Sequence, residues 1–379
     1  MRPATLVTLL LRIVPHYRVA FLDSLARRLN AVGLELQVLY GQERKGTQPP
    51  GVKLDAPWAR CVPNIYGRLG SLEVVWQQGV RALDGSRLVV VEQANRLLAN
   101  YVLQLRRRTQ PFQLAYWGHG YNMQSRNPAN LSERVKRRLL CEVDWWFAYT
   151  ELSRSYILNA GFAAERITVV NNTVDSQALA EAARHCAQQQ PRELARKLGC
   201  AGTNVALFCG TLHEDKRIDF LLQAARQIRR ELPDFELLIV GDGPERRSVE
   251  RAASEFPWIH YAGPDTSAAR ARYFHAAKLL LMPGLVGLVI VDSFLCGCPL
   301  VTTKFPFHSP EIAYLEPDHN GVIAPADVHG YAQAVTALMR NDVQLARLRR
   351  GCLHSAQKYS LQSMVENFAV GVEECLLAV

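Results

Sequence analysis

Three glycine-bearing loops in the second half of the chain hold the residue types from which a phosphate and sugar site is built. The first reads Gly210-Thr211-Leu212-His213-Glu214-Asp215-Lys216-Arg217 and runs into Phe220, Leu221, Leu222 and Ala225 at helical spacing. A glycine turn that opens a helix offers backbone N–H groups and the positive end of the helix dipole to a phosphate, and Lys216 adds a mobile cation. An exposed Lys-Arg pair at a helix start accounts for the same residues equally well. The second loop, Gly241-Asp242-Gly243-Pro244, follows the apolar run Glu236–Val240. Its glycines let backbone come close to a ligand, although by itself the pattern requires no more than a tight strand-to-helix turn. The third runs from Met282-Pro283-Gly284 through Gly287-Leu288 to Asp292. Asp292 is a lone carboxylate within a long apolar run, where an unpaired charge is costly. The expectation is a hydroxyl partner, and a ribose diol suits because a carboxylate accepts from two adjacent O–H groups. Local pairing of Asp292 within the fold is the competing reading.

The first half offers two further loops. Tyr116-Trp117-Gly118-His119-Gly120-Tyr121 follows a run of strand type. A histidine between two glycines is little crowded and, when neutral, both donates and accepts a hydrogen bond. Trp117 and Tyr121 beside it are residue types that stack on sugar rings. Pro15-His16-Tyr17-Arg18 precedes the first helical pattern, and acceptor contact or plain helix capping explains Tyr17 and Arg18 equally. No HxxxH or HxH pair and no DxD cluster after a strand is present, so metal-dependent chemistry is disfavoured and no metal or other cofactor is expected. GxSxG, Walker and kinase signatures are also missing.

These loops need strands that end beside them. Ala4–Ile13, Leu34–Tyr40, Arg87–Val91, Phe112–Tyr116, Trp145–Ala148 and Ile167–Val170 read as buried strands, with helical patterns between them such as Phe21, Leu22, Leu25 and Leu29. A second series follows: Val205–Cys209, Glu236–Val240, Ile259–Tyr261, Leu279–Met282, Leu300–Thr302 and Val322–Ile323. Strands alternating with helices predict helix-covered parallel sheets, here two Rossmann-like domains in tandem, with ligands beyond the carboxyl ends of the strands. The Ala-, Gln- and Arg-rich stretch Gln177–Lys197 is expected to be interdomain helix and linker. The domains are therefore 1–175, a linker at 176–202, and 203–358.

A chain of 379 residues suits two cores better than one. The net charge of +9 is unevenly placed: residues 1–175 carry 23 Lys and Arg against 13 Asp and Glu, and the remainder 21 against 22. Clusters at Arg106-Arg107-Arg108 and at Arg134, Lys136, Arg137 and Arg138 suit anionic lipid or a phosphorylated acceptor, or simply solvated helix faces. Nucleic acid is the weakest partner, because no stacking aromatics interleave these charges. The apolar run Leu6–Val14 is broken by Arg12, so neither a signal peptide nor a membrane span is expected. Nine scattered cysteines without CxxC read as reduced core residues of a cytoplasmic protein.

Taken together, the loops at Tyr17-Arg18, Gly118-His119-Gly120, Gly210–Lys216, Gly241–Pro244 and Gly287–Val301 resemble the retaining glycosyltransferases of GT-B architecture known as family 4, or group 1. The resemblance implies an α/β chain of two Rossmann-like parallel-sheet domains facing across a cleft, with the C-terminal helix, 360–379, crossing back to the first. It implies that His119 and Lys216 are catalytic, with His119 at the transferring sugar. It makes Gly210, Thr211, Lys216, Arg217, Gly241, Gly243, Gly287, Leu288, Asp292 and Glu311 donor-binding. Tyr17, Arg18 and Trp117 become acceptor-side residues. Two departures stand out: the family's paired glutamates are here Gly284 and Asp292, and an arginine after the phosphate-loop glycine is here Thr211. The implied activity is metal-independent transfer, with retention, from a UDP- or GDP-sugar to a saccharide or lipid-linked saccharide in cell-surface polysaccharide assembly, at the inner face of the plasma membrane. A nucleotide-sugar epimerase of the same fold and a non-catalytic nucleotide-sugar-binding subunit are the alternatives.

Overall fold

The computed structural model describes residues 5–44, 52–70, 72–120 and 139–378. The expectations at Tyr121 and at Arg134, Lys136, Arg137 and Arg138 lie outside them. The chain forms two compact units, one running up to Asp175 and completed by the segment from Leu361 onward, the other Ser176–Ser360.

In the first unit, β1 (Thr5–Leu11), β2 (Leu34–Tyr40) and β3 (Ala59–Cys61) are followed by an antiparallel pair, β4 (Asn64–Leu69) and β5 (Leu72–Gln77). Then come β6 (Ser86–Glu92), β7 (Gln113–Gly118), β8 (Trp145–Ala148) and β9 (Ile167–Val169). The main sheet is parallel, in the order β3-β2-β1-β6-β7-β8-β9. Alternation along β1 sends Val7, Leu9 and Leu11 to one face and Leu10 to the other, and both faces are covered by apolar side chains. That double burial is why β1 reads as a nearly continuous apolar run, interrupted in its middle only by Thr8, whose hydroxyl is hydrogen-bonded to Ser86. The β4–β5 pair lies outside the sheet; β4 is half-exposed and polar-rich, and only β5 carries a short apolar run, Val74-Val75-Trp76.

The helix Leu361–Leu377 packs on this first sheet. Phe368 stacks on Phe147 with ring centroids 4.2 Å apart, and Gly371 lies so close that a Cβ there would sit 2.4 Å from the Thr168 hydroxyl. Arg28 pairs with Glu366 at 2.8 Å and Glu373 at 3.0 Å. The buried aromatic contacts, rather than these half-exposed ion pairs, hold the helix.

In the second unit, β10 (Asn204–Cys209), β11 (Phe235–Val240), β12 (Ile259–Tyr261), β13 (Leu279–Leu281), β14 (Leu300–Thr303) and β15 (Gly321–Ala324) form a parallel sheet in the order β12-β11-β10-β13-β14-β15. The stretch expected to be interdomain helix and linker forms two helices, Gln177–Cys186 and Pro191–Lys197, whose Leu179, Ala183, Leu194 and Ala195 join the core of this unit. Their alanines keep the helices close to Ala271–Ala276, and the Gln and Arg residues between face solvent.

All nine cysteines are free, seven are buried, and Cys61 alone is exposed. Among the described residues no helix is long and apolar enough to cross a membrane. Chain order reverses between β1 and β6 in the first sheet and between β10 and β13 in the second. Loops leaving the carboxyl ends of strands at such a point diverge and leave a crevice.

Candidate active site

The second unit's crevice is flanked by the loop after β10 and the loop after β13. Gly210 donates its N–H to Val240 at 3.0 Å, and Leu212 donates to Asp242 at 2.9 Å, so the loops after β10 and β11 lie flat on each other. This contact is where the glycines are spent. Gly241 has φ +147° and a Cβ there would sit 1.8 Å from the Gly210 carbonyl; at Gly243, φ +156°, it would sit 2.5 Å from the Leu212 carbonyl. Gly241 and Gly243 thus admit neighbouring backbone and fix the path of the phosphate loop.

The loop then closes on the segment after β13. Leu285 donates its N–H to the Asp215 carbonyl at 2.8 Å, and Lys216 Nζ donates to the Leu285 carbonyl at 2.6 Å. Gly284 touches the same turn so closely that a Cβ would lie 2.2 Å from the Asp215 oxygen. No side chain fits at 284 without moving backbone, so the carboxylate missing there is excluded sterically. Lys216 is 9% exposed, and burial pushes its ammonium down to about 8. A lysine kept this dry, with one carbonyl as its neutral partner, is poised to gain from an anion.

Arg217 adopts a left-handed backbone, φ 56°, and lays its guanidinium 4.0 Å from the Phe220 ring centroid. It donates to Thr303 and to the Ala326 carbonyl, both at 3.4 Å, so it turns toward the ends of β14 and β15 while Lys216 turns toward β13. Thr211 is exposed. Gly287 and Leu288 lead into the helix Val289–Leu295, and their carbonyls accept from the N–H groups of Ile290 at 3.2 Å and Val291 at 3.0 Å. His308 braces the same segment, accepting from Val286 N–H through Nδ1 at 3.1 Å and facing the Thr303 carbonyl through Nε2 at 2.9 Å. Burial holds this imidazole below its ordinary pKa. Glu311 is buried in the short helical turn Pro310–Tyr314 behind it.

Asp292, expected to meet a hydroxyl, is met by Arg270, with Nε at 3.1 Å and Nη2 at 3.3 Å from its two oxygens. Local pairing therefore explains how this carboxylate is tolerated inside the fold. Burial raises the Asp292 pKa, and the Arg270 charge and its hydrogen bond oppose the shift. The thiol of Cys209, at the end of β10, is pushed up to about 12 by burial and feels the charges of Asp292, Arg270 and Lys216 together. Those groups thus share one neighbourhood at the switch point. Arg270 stands outside every motif, in the turn before Ala271–Ala276, and only the fold brings it to Asp292.

In the first unit the strand ends gather another polar cluster. Trp117 is buried, in contact with Phe21 and Phe368 at centroid distances of 5.5 and 5.2 Å. It is a core residue, and its place on the inward face of β7 leaves no ring surface for a sugar. Arg18 is 6% exposed, enclosed by Trp117 at 4.9 Å, Tyr17 at 5.4 Å and Tyr149 at 5.5 Å, and donates to Asn172 Oδ1. Of the three acceptor-side candidates only Tyr17 is exposed.

His119 follows β7 directly. Its ring meets Tyr149 edge-on at 4.3 Å, and its buried Nδ1 has no hydrogen-bond partner among the described residues. Burial, reinforced by the Arg18 charge, lowers its pKa to about 4, so the imidazole is neutral near pH 7. The flanking glycines answer crowding: a Cβ at Gly120, φ +78°, would lie 2.9 Å from Ile157, and one at Gly118 would lie 3.1 Å from Gln93. Glu92, at the end of β6, was not anticipated. The Arg12 backbone N–H donates to its carboxylate, and burial raises its pKa against the pull of Arg12 and Arg96. A carboxylate closing the apolar run Leu88–Val91 was the available sign.

Comparison with known proteins covers both units. A model described as glycosyl transferase 4-like domain matches residues 19–173, and one described as glycosyl transferases group 1 matches residues 203–341. The chain is 24% identical over 160 residues to a 2-deoxystreptamine N-acetyl-D-glucosaminyltransferase of Niallia circulans, covering 41% of this chain and 40% of the relative. It is 26% identical over 158 residues to a phosphatidyl-myo-inositol mannosyltransferase of Mycobacterium leprae, covering 40% of this chain and 42% of that one. These matches span about two fifths of each curated relative. The crystal structure of Anabaena HepE in complex with UDP superposes with a TM-score of 0.66 at 17% identity, over 97% of this chain and 99% of that one. With two parallel Rossmann-like sheets, each matched by its own half of the family, the chain belongs to the group 1, or family 4, glycosyltransferases of GT-B architecture.

Proposed function

We propose that this protein is a retaining glycosyltransferase that takes a sugar from a UDP- or GDP-sugar and adds it to a saccharide or lipid-linked saccharide in cell-surface polysaccharide assembly. The observation that carries the reading is Lys216, buried at the switch point of the second sheet with a carbonyl as its neutral partner. A diphosphate beside it would bring the anion that this desolvated cation lacks. The named partners support the same reading: UDP in the HepE structure, and a lipid acceptor in the name of the mannosyltransferase.

In the mechanism we infer, the anomeric C–O bond to the diphosphate breaks while the acceptor oxygen bonds to the same face. The departing phosphate oxygen takes the acceptor proton. Lys216 stabilises the charge gathering on the leaving group, and the backbone N–H groups of Gly287 and Leu288 add to it. His119, neutral, donates or accepts a hydrogen bond at the transferring sugar without carrying charge. Asp292 reaches the ribose as one half of an ion pair whose other half, Arg270, sets its orientation. Tyr17 offers the acceptor-side surface, with Arg18 and Trp117 holding it from behind. The reaction so drawn uses no metal, and the working location is the cytoplasmic face of the membrane.

Gly284 favours one other reading, a nucleotide-sugar-binding subunit without turnover, because no carboxylate can be accommodated there. Incubating the protein with UDP- and GDP-sugars and following free nucleotide, with and without saccharide acceptors, separates the two. Turnover lost in His119→Ala while nucleotide binding persists is the expected result. Nucleotide binding without turnover for every donor and acceptor would leave the binding subunit standing.

A further inference from the structure

At the amino ends of the strands in the second unit, away from the donor loops, three metal-ligating side chains of different types meet. Cys200 precedes β10, Glu236 is the second residue of β11, and His260 the second residue of β12. Their sulfur, oxygen and nitrogen atoms all lie within 4.8 Å of one another. His260 Nε2 is 2.7 Å from Glu236 Oε2. Glu236 Oε1 accepts from the N–H of Gly202 at 2.6 Å and of Ala201 at 3.0 Å, which anchors the carboxylate in the Cys200–Gly202 turn. Cys200 and Glu236 are buried, whereas the His260 side chain is 21% exposed and forms the way in from solvent.

We propose that Cys200, Glu236 and His260 form a binding site for a borderline-soft divalent cation of the Zn2+ class. Thiolate, imidazole and carboxylate form the mixed S, N, O set that such ions take, with a fourth, water-filled position on the exposed His260 side. Zinc bond lengths in this set put neighbouring ligand atoms about 3.3–3.8 Å apart, so the present cluster needs movements of under about 1 Å. Charge balances as well: one dication, one thiolate and one carboxylate sum to zero, which suits a buried place. The cation takes the place of the Cys200 thiol proton, released to solvent, and of the Nε2 proton, which passes to Nδ1 of the same ring. Along β11, Glu236 and the donor-side end at Val240 are separated by roughly 13 Å, so the ion has no part in the transfer chemistry drawn above. Its effect is to tie the Cys200–Gly202 turn to β11 and β12.

The test uses the full chain, freed of metal and titrated with Co2+ and Zn2+. One equivalent of Co2+ should bind with a thiolate-to-cobalt charge-transfer band in the near ultraviolet, displaced by Zn2+. Cys200→Ser should lose that band, and His260→Ala should weaken binding by more than the roughly hundredfold that loss of an outer-shell partner costs. Cys61→Ser, which removes the exposed thiol, should change neither. Zn2+ should raise the Tm of the unaltered chain and leave that of Cys200→Ser in place. Circular dichroism shows whether each variant is folded, and Cys200→Ala serves if the serine variant is not. Absence of stoichiometric binding, or a band that persists without Cys200, overturns the proposal. UDP binding should be the same with and without the ion, so this site and the donor site stand or fall separately.

Discussion

Replacing Lys216 by methionine should make the ligand-free protein more stable and nucleotide binding weaker. Burial lowers the Lys216 pKa from 10.5 to about 8. At 1.36 kcal/mol per unit, holding the charged form in the folded protein near neutral pH costs about 3 kcal/mol. Methionine keeps the apolar stem and removes that cost, but the Leu285 carbonyl loses its donor, a loss of about 1–2 kcal/mol. The net is a gain of about 1–2 kcal/mol, which for a unit of this size raises Tm by roughly 3–6 °C. The sign of the pH dependence follows. With the folded pKa below the unfolded one, the unfolded chain holds the extra proton between about pH 8 and 10.5, so the unaltered protein gains stability as pH rises through that window. The advantage of Lys216→Met should therefore be largest below about pH 8 and be gone by about pH 10. Nucleotide affinity should fall tenfold to a hundredfold, on the order of one charged hydrogen bond to phosphate. Thermal melts across this pH range, with and without UDP, measure both effects. A variant destabilised at neutral pH, or one whose advantage ignores pH, would show that Lys216 is a structural strut and would refute the reasoning.

Three further outcomes follow from the same geometry. Arg270→Met leaves Asp292 buried and alone, and should cost about 3–5 kcal/mol in denaturant unfolding at neutral pH. Because burial raises the Asp292 pKa, that deficit should shrink on acidification as the carboxyl takes up its proton; a deficit constant with pH would mean Asp292 is not the cause. Gly284→Ala should destabilise by about 1–3 kcal/mol or more through backbone displacement at Asp215, and Gly284→Glu should lower activity instead of restoring a family glutamate. A Gly284→Glu variant of undiminished stability would contradict the packing described. His119, with a pKa of about 4, should add no acid limb to the rate between about pH 5 and 8, so a limb in that range abolished by His119→Gln would overturn its neutral role.

Much of the architecture was legible in the residues because parallel strands buried on both faces must be apolar throughout. The inner strands of the two parallel sheets announce themselves largely in this way and the edge strands β9, β12 and β15 by shorter apolar runs, and the loops that follow them are where unusual residues collect. β3 has only three residues and β4 is half-exposed and polar-rich, so neither shows such a run, and the short apolar run of β5, Val74-Val75-Trp76, belongs to an antiparallel pair outside the main sheet. The Gln177–Lys197 stretch reads as interdomain helix and linker, not as core, because its alanines are too small to register as a core pattern, yet Ala183 and Ala195 pack directly into the second unit.

For the site, sequence determined which residue types stand at strand ends: Lys216, Asp292 and His119 could be named from spacing and chemistry alone. Tertiary structure decided what each one meets. Arg270 closes on Asp292 from another element, the Asp215 backbone fills the space a side chain at 284 would need, and Trp117 and Arg18 turn inward. Cys200, Glu236 and His260 come together from three separate elements without any motif. The reason is physical: periodicity reports which face of an element is apolar, whereas partners and pKa values depend on contacts between elements far apart in the chain, and only packing sets those.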